Sequence, residues 1–149
     1  MERHSIIKEL KNYFKITELV GSRTASKYGE VGWRFFETNA LHALLILRKN
    51  IDKPVFCNRG NLEQRGLRTN VQHLVKDKTE RNQLYISAHI LGRAFDLDVQ
   101  GMTAEEVRDW IEENADLFPF KIRLEEGVTW VHIDTIDEEK NPKIYRFLP

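Results

Sequence analysis

At 149 residues, 41% hydrophobic and 31% charged, the chain has the composition of a single globular domain with its own core rather than of a disordered segment. Lys and Arg together number 23, as do Asp and Glu, so no net field recommends nucleic acid or an anionic membrane as a partner. The lone cysteine, Cys57, excludes an internal disulfide and a thiolate-rich metal site, leaving histidines and carboxylates as ligands for any ion.

The N-terminus carries charges every few residues and has no apolar h-region, and no run is long enough to span a bilayer. The expectation is a chain made in the cytoplasm without a signal peptide and without membrane insertion. Ile6, Ile7, Leu10, Tyr13 and Phe14 have helical spacing and predict a helix from about Ser5 to Phe14. A second short helix is expected over Thr17 to Val20, with Thr17 as its N-cap. Gly21 to Gly32 is polar and glycine-containing and reads as a loop with room for a helical turn. Trp33 to Asn50 is the strongest predicted helix, with Phe36, Ala40, Ala43, Leu44 and Leu47 on one face. His42 within it reads as a surface or boundary residue.

Pro54 ends that segment and begins a short strand running to Asn58. The region from there to Glu80 is polar and weakly periodic. It holds Arg59, Arg65 and Arg68, each a solvated loop arginine by default. Arg59 is set apart because it directly follows a buried-looking strand. His73, among Val71, Leu74 and Val75, reads as structural or exposed. Gln83 to Ile86 alternates as a strand. Thr103 caps a helix reaching about Asn114, with Glu105 and Glu106 in its first turn and Val107, Trp110 and Ile111 on its buried face. Strands follow over Phe120–Leu124 and Val128–Thr135, separated by a turn or bulge at Glu125-Glu126-Gly127, with an edge strand over Lys143–Phe147. Hairpin-like neighbours outnumber βαβ units, which predicts an α+β fold: a mainly antiparallel sheet with helices packed on one face. It is expected to form one domain over 1–149, mainly helical through residue 50 and carrying the sheet and the site from residue 54.

Two stretches carry chemistry. In Ser87–Asp98, His89 and Asp96 are seven residues apart, an odd separation that cannot place both on one side of a regular strand. Gly92 and the β-friendly Phe95–Val99 set His89 before a turn and Asp96 on the strand after it. Gly92 and Ala94 are small enough for backbone and metal to approach. Ser87 would fix a loop amide or orient a ligand. In Glu126–His132, even spacing puts Glu126, Val128, Trp130 and His132 on one face, with Trp130 as a wall of the cleft. A bulge at Gly127 would bring Glu125 round instead. Asp98 and Asp134 are weaker ligand candidates. Two imidazoles and a carboxylate are the ligand set of an open zinc site, and a spare carboxylate can act on a bound water, so the residues point to a zinc hydrolase.

Ser87-x-His89-x-x-Gly92-x-Ala94-x-Asp96, followed by Trp130-x-His132, resembles the signature of the D-Ala-D-Ala carboxypeptidase and hedgehog-like zinc peptidases. That family includes vancomycin-resistance dipeptidases and phage endolysins that cut the peptide cross-links of bacterial cell walls. Phe14–Leu19 is similar to the N-terminal segment of its short phage and bacterial branch. The resemblance implies Zn2+ held by His89, Asp96 and His132, with a water in the fourth position. It also implies Glu126 as the residue that takes a proton from that water, Arg59 as the arginine for a substrate carboxylate, and Ser87 and Trp130 on the substrate side. The implied substrate is a peptidoglycan peptide. Two departures stand out: Thr129 occupies the place where many members carry the catalytic acid, so that Glu126 follows the hedgehog-like spacing. The segment between Arg59 and His89 lacks the family's glycine-rich pattern. The expected function is a zinc carboxypeptidase or endopeptidase of wall peptides, released by lysis or carried in a virion. The alternative is a zinc-containing binding or structural virion module on the same fold.

Overall fold

The computed structural model describes residues 1–149. Five helices, α1 (Arg3–Leu10), α2 (Ser22–Tyr28), α3 (Thr38–Asn50), α4 (His73–Glu80) and α5 (Ala104–Glu113), accompany five strands. The strands are β1 (Val55–Phe56), β2 (Ala94–Val99), β3 (Ile122–Glu125), β4 (Val131–Asp134) and β5 (Ile144–Phe147). They form one sheet in the order β1-β2-β4-β3-β5, antiparallel throughout except that β5 runs parallel to β3 at the edge. The fold is α+β with a mainly antiparallel sheet. No helix is long and apolar enough to cross a membrane.

Strand alternation divides the sheet into two chemically different faces. Phe95, Leu97, Val99, Leu124, Val131 and Ile133 enter a continuous core of 29 buried residues, to which α1, α3 and α5 also contribute. Phe36, just before α3, stacks on Phe95 with ring centroids 5.1 Å apart. On the opposite face the register pairs Asp96 with His132, Ala94 with Asp134, and Arg123 with Asp134. Partners in register share a face, so this second side collects acids, a histidine and an arginine. Cys57 is fully buried within the core, and burial pushes its thiol up, so it is neither a ligand nor a nucleophile.

Several predicted elements differ from the structure, each for an identifiable reason. The helix expected from Trp33 begins at Thr38, because Glu37 caps it by accepting from the Ala40 amide at 3.2 Å. Phe36 is therefore extended, and Gly29–Phe35 forms a 3-10 turn. The stretch around Thr17 is a 3-10 turn over Ile16–Glu18, with Glu18 accepting from the Lys15 amide. Ser22–Tyr28, in a stretch expected as loop with room for a helical turn, and His73–Glu80, in a stretch read as polar and weakly periodic, are helices. Gln83–Ile86 is not a strand: it pairs with no strand of the sheet, and Leu84 and Ile86 are exposed, with no packing partner to favour an extended pairing. The helix at Thr103 forms as expected, with Thr103 and Glu106 exchanging capping hydrogen bonds.

Gly92 shows why the turn before β2 needs glycine. Its φ is +67°, and a Cβ there would lie 2.1 Å from the Phe35 carbonyl oxygen. The space it leaves is taken by the backbone ahead of α3, and its own carbonyl accepts from Glu37 N at 2.9 Å. Gly92→Ala is expected to lower unfolding free energy by more than about 2 kcal/mol, from left-handed strain plus the clash. Urea denaturation of the two proteins checks this.

Candidate metal centre

The site is built from three parts of the chain. Asp96 comes from the middle of β2, and His132 lies opposite it on β4. His89 sits in the turn before β2, where the amides of Ile90 and Leu91 donate to the Ser87 carbonyl and Ser87 Oγ accepts from the Ile90 amide. Ser87 thus fixes a loop amide, the first of the two roles its position allowed. All three side chains are buried, and their ligand atoms lie within 4.8 Å of one another. This group could hold a metal ion.

The donor chemistry fits a cation. His89 Nδ1 is 2.9 Å from the Gly66 carbonyl oxygen and His132 Nε2 is 2.8 Å from Asp134 Oδ2. Both partners are acceptors, so each outer nitrogen carries the ring proton. The inner nitrogens, His89 Nε2 and His132 Nδ1, lie 3.2 and 2.9 Å from the same oxygen, Asp96 Oδ1. Two ring lone pairs facing one carboxylate oxygen repel unless a proton or a metal ion lies between them. A tetrahedral ion about 2.0–2.1 Å from each ligand sets those ligands roughly 3.3 Å apart, close to the spacing found. Outer hydrogen bonds to a carbonyl and a carboxylate are the arrangement that orients metal-ligating histidines.

Electrostatics reinforce the arrangement. Burial raises the Asp96 carboxyl, but hydrogen bonds from His132 and His89 outweigh it and hold it well below the ordinary range. Burial lowers His132, yet its bonds to Asp134 and Asp96 win and raise it to about 9. Asp134 is held low by His132 and Arg123 despite its burial; Arg123 donates to it twice, at 2.9 and 3.1 Å.

The group opens into a cavity of about 400 Å³ lined by Ser87, Trp130, Arg68, Arg123, Glu125 and Phe147 among others. Of the residues the sequence singled out, His89, Asp96, His132, Ser87 and Trp130 are brought together there. Glu126 is not: it lies outside the cavity, 3.6 Å from Arg146 on the α5 side. Glu125 takes the inner position, with Oε2 3.9 Å from His132 Nδ1. The reason is register. β3 runs through Glu125, whereas the next residues leave the sheet at Gly127, with φ +75°, before β4 starts at Val131. Even spacing from His132 back to Glu126 therefore does not apply.

Arg59 is also outside. Half exposed, it stacks on Phe56 at 4.3 Å and faces Asp98 at 3.6 Å. Two guanidinium groups line the cavity: Arg123, paired with Asp134, and Arg68, with Nη2 3.2 Å from Asp96 Oδ2. Asp98 pairs with Arg65 and Arg59. Asp134 serves His132 from outside instead of joining the ligand group. His42 packs beside Phe120 and His73 is exposed at the start of α4, so neither approaches the centre.

Arg108 was not singled out in the sequence, where it reads as one more charge on an amphipathic helix. It is 4% exposed, and its guanidinium donates to the carbonyls of Glu125, Trp130 and Val128 at 3.2, 3.2 and 3.3 Å. It also pairs with Glu105. The loop carrying Glu125 and Trp130 is thereby tied to α5.

The chain matches no protein-family model, no curated protein and no solved structure.

Two outcomes are expected. Arg108→Ala leaves three loop carbonyls without their donor and should cost about 2–4 kcal/mol in denaturant unfolding. A divalent ion entering chelator-stripped protein at pH 7 should displace a proton from His132, since its pKa of about 9 keeps it charged there. Apparent affinity then falls about tenfold for each unit that pH drops below that value. Calorimetry in buffers of different ionisation enthalpy reads the released proton directly.

Proposed function

We propose that the chain is a zinc-dependent metallopeptidase that hydrolyses peptide bonds in bacterial cell-wall peptides, as a carboxypeptidase or an endopeptidase. The observation that carries this reading is the convergence of His89 Nε2 and His132 Nδ1 on Asp96 Oδ1, with Glu125 beside them in one cavity. The motif resemblance narrows the chemistry to peptide hydrolysis and the substrate to peptidoglycan. The donor set of two imidazoles and one carboxylate, with no thiolate, suits zinc in an open site. Zinc bound there supplies Lewis-acid polarisation of a carbonyl and lowers the pKa of a water.

The protein's own groups then have distinct tasks. Glu125, partly exposed at the cavity, accepts a proton from the attacking water and returns it to the leaving amine. Arg68 places a substrate carboxylate. Its bonds to Gln64 O, Tyr85 Oη and Asp96 fix the guanidinium and leave donors free. Arg123 is committed to Asp134 and Glu138 and keeps the His132 ring oriented. Trp130 and Phe147 wall the cavity and limit water around the reacting bond.

Purified protein is expected to contain about one zinc per chain, the stoichiometry of a single open site. His89→Ala should lose the metal. Glu125→Gln should keep it while slowing hydrolysis of purified peptidoglycan by roughly 10²–10⁴-fold, the usual worth of a general base. Glu126→Gln should leave the rate near wild type. Mass analysis of the released fragments identifies the bond. Zinc retained by the intact protein with no wall peptide cut would favour a binding or virion module instead.

A further inference from the structure

A second concavity, of about 660 Å³, lies on the other side of the segment that carries Arg68. Its walls come from α2, the turn that follows it, and residues 67–71. Arg23, Lys27 and Arg68 all contribute to the lining, and no acidic residue does. Arg68 is paired with Asp96, but Arg23 and Lys27 have no carboxylate partner; Lys27 lies only over the Tyr28 ring. Tyr28 and Phe35 meet edge to face at 5.0 Å and present a partly exposed aromatic wall. Thr69, also in the lining, has a buried Oγ1 with no hydrogen-bond partner.

The two cavities are mechanically joined. The Gly66 carbonyl accepts from His89 Nδ1, and the Arg68 amide donates to the His89 carbonyl at 3.2 Å. Segment 66–69 is therefore a shared partition, with Arg68 lining both spaces. Because Arg68 lines both spaces, a peptide held at the His–Asp–His group has beside it a pocket with unpaired positive charge and an aromatic wall. Two cations without partners favour a carboxylate, and the rings accept its aliphatic stem.

We propose that this pocket is a subsite for an acidic residue of the peptide whose neighbouring bond is held at the metal centre. The proposal rests on the peptidase reading for the role of the neighbouring cavity, but binding in the pocket is measurable without turnover. Two unpaired cations confined to one concavity, on a chain with no net charge, suit an acidic residue with its peptide neighbours better than a nucleic-acid strand, which needs a longer basic track.

The test titrates ¹⁵N-labelled full chain, as purified, with N-acetyl-Ala-Glu-Ala-Ala and with its Gln counterpart, following amide shifts. At low salt the Glu peptide should bind roughly fivefold to tenfold tighter, the worth of two partly exposed ion pairs. Shifts should centre on Arg23–Tyr28, Phe35 and 67–71. The R23Q/K27Q double variant, changed at two exposed positions, should bind both peptides alike while keeping the wild-type thermal midpoint and metal content. Equal affinity of the two peptides for wild type, shifts confined elsewhere, or an oligothymidine binding the same residues more tightly would each overturn the proposal. Absence of peptide hydrolysis with this binding intact would sink the peptidase reading and leave the subsite standing.

Discussion

The buried carboxylate of Asp96 is the constraint on which the rest of the structure depends. An ionised acid removed from water is stable only when opposite charge and donors surround it. Here Oδ1 faces the two imidazoles and Oδ2 faces Arg68. Each partner arrives by a different route: His132 by strand register, His89 by the turn at Gly92, and Arg68 by a segment tied to the His89 backbone. The fold must satisfy all three at once. That requirement explains why the sheet exposes one face to charge and confines its apolar residues to the other.

The cost of such a polar face is met by rigidity elsewhere. The core of 29 residues holds β2 and β4 from behind, so that their opposite faces need no apolar packing of their own. Asp134 and Arg123 extend the network outward from His132, and the Gly66 carbonyl plays the same part for His89. Arg108 does for the loop after β3 what these groups do for the rings. Its buried guanidinium replaces sheet hydrogen bonds that an irregular loop cannot make, which keeps Glu125 and Trp130 at the cavity. Side chains held by several fixed donors and acceptors lose little freedom when a ligand arrives, which is what a preorganised site requires.

The parts of this arrangement legible in the sequence were those governed by a few consecutive residues. The turn between His89 and Asp96 followed from Gly92 and from the odd spacing, and the cap of α5 from Thr103 and Glu106. Failures came where local pattern competed with a distant contact. Glu126 has the right spacing from His132 for an unbroken strand, but the loop at Gly127 interrupts it and Arg108 fixes the detour. Arg59 follows a buried strand, yet Asp98 and Phe56 hold it away from the cavity that Arg68 occupies. Ser22–Tyr28 and His73–Glu80 are short polar helices, whose weak periodicity gives pattern reading little to use.

By itself, then, the sequence determined the α+β class, the turn that separates His89 from Asp96, and the residue types available to a metal. The tertiary structure alone decided which carboxylate and which arginine stand beside them, and that a second, cationic pocket shares a wall with the site. The physical reason is one of range. Side-chain alternation, capping and left-handed turns are set within a few residues of the backbone. The distances among Gly66, Arg68, Glu125 and His132 are set by strand pairing, by the hydrogen bonds that tie residues 65–68 to His89 and Asp96, and by Arg108, across segments far apart in the chain.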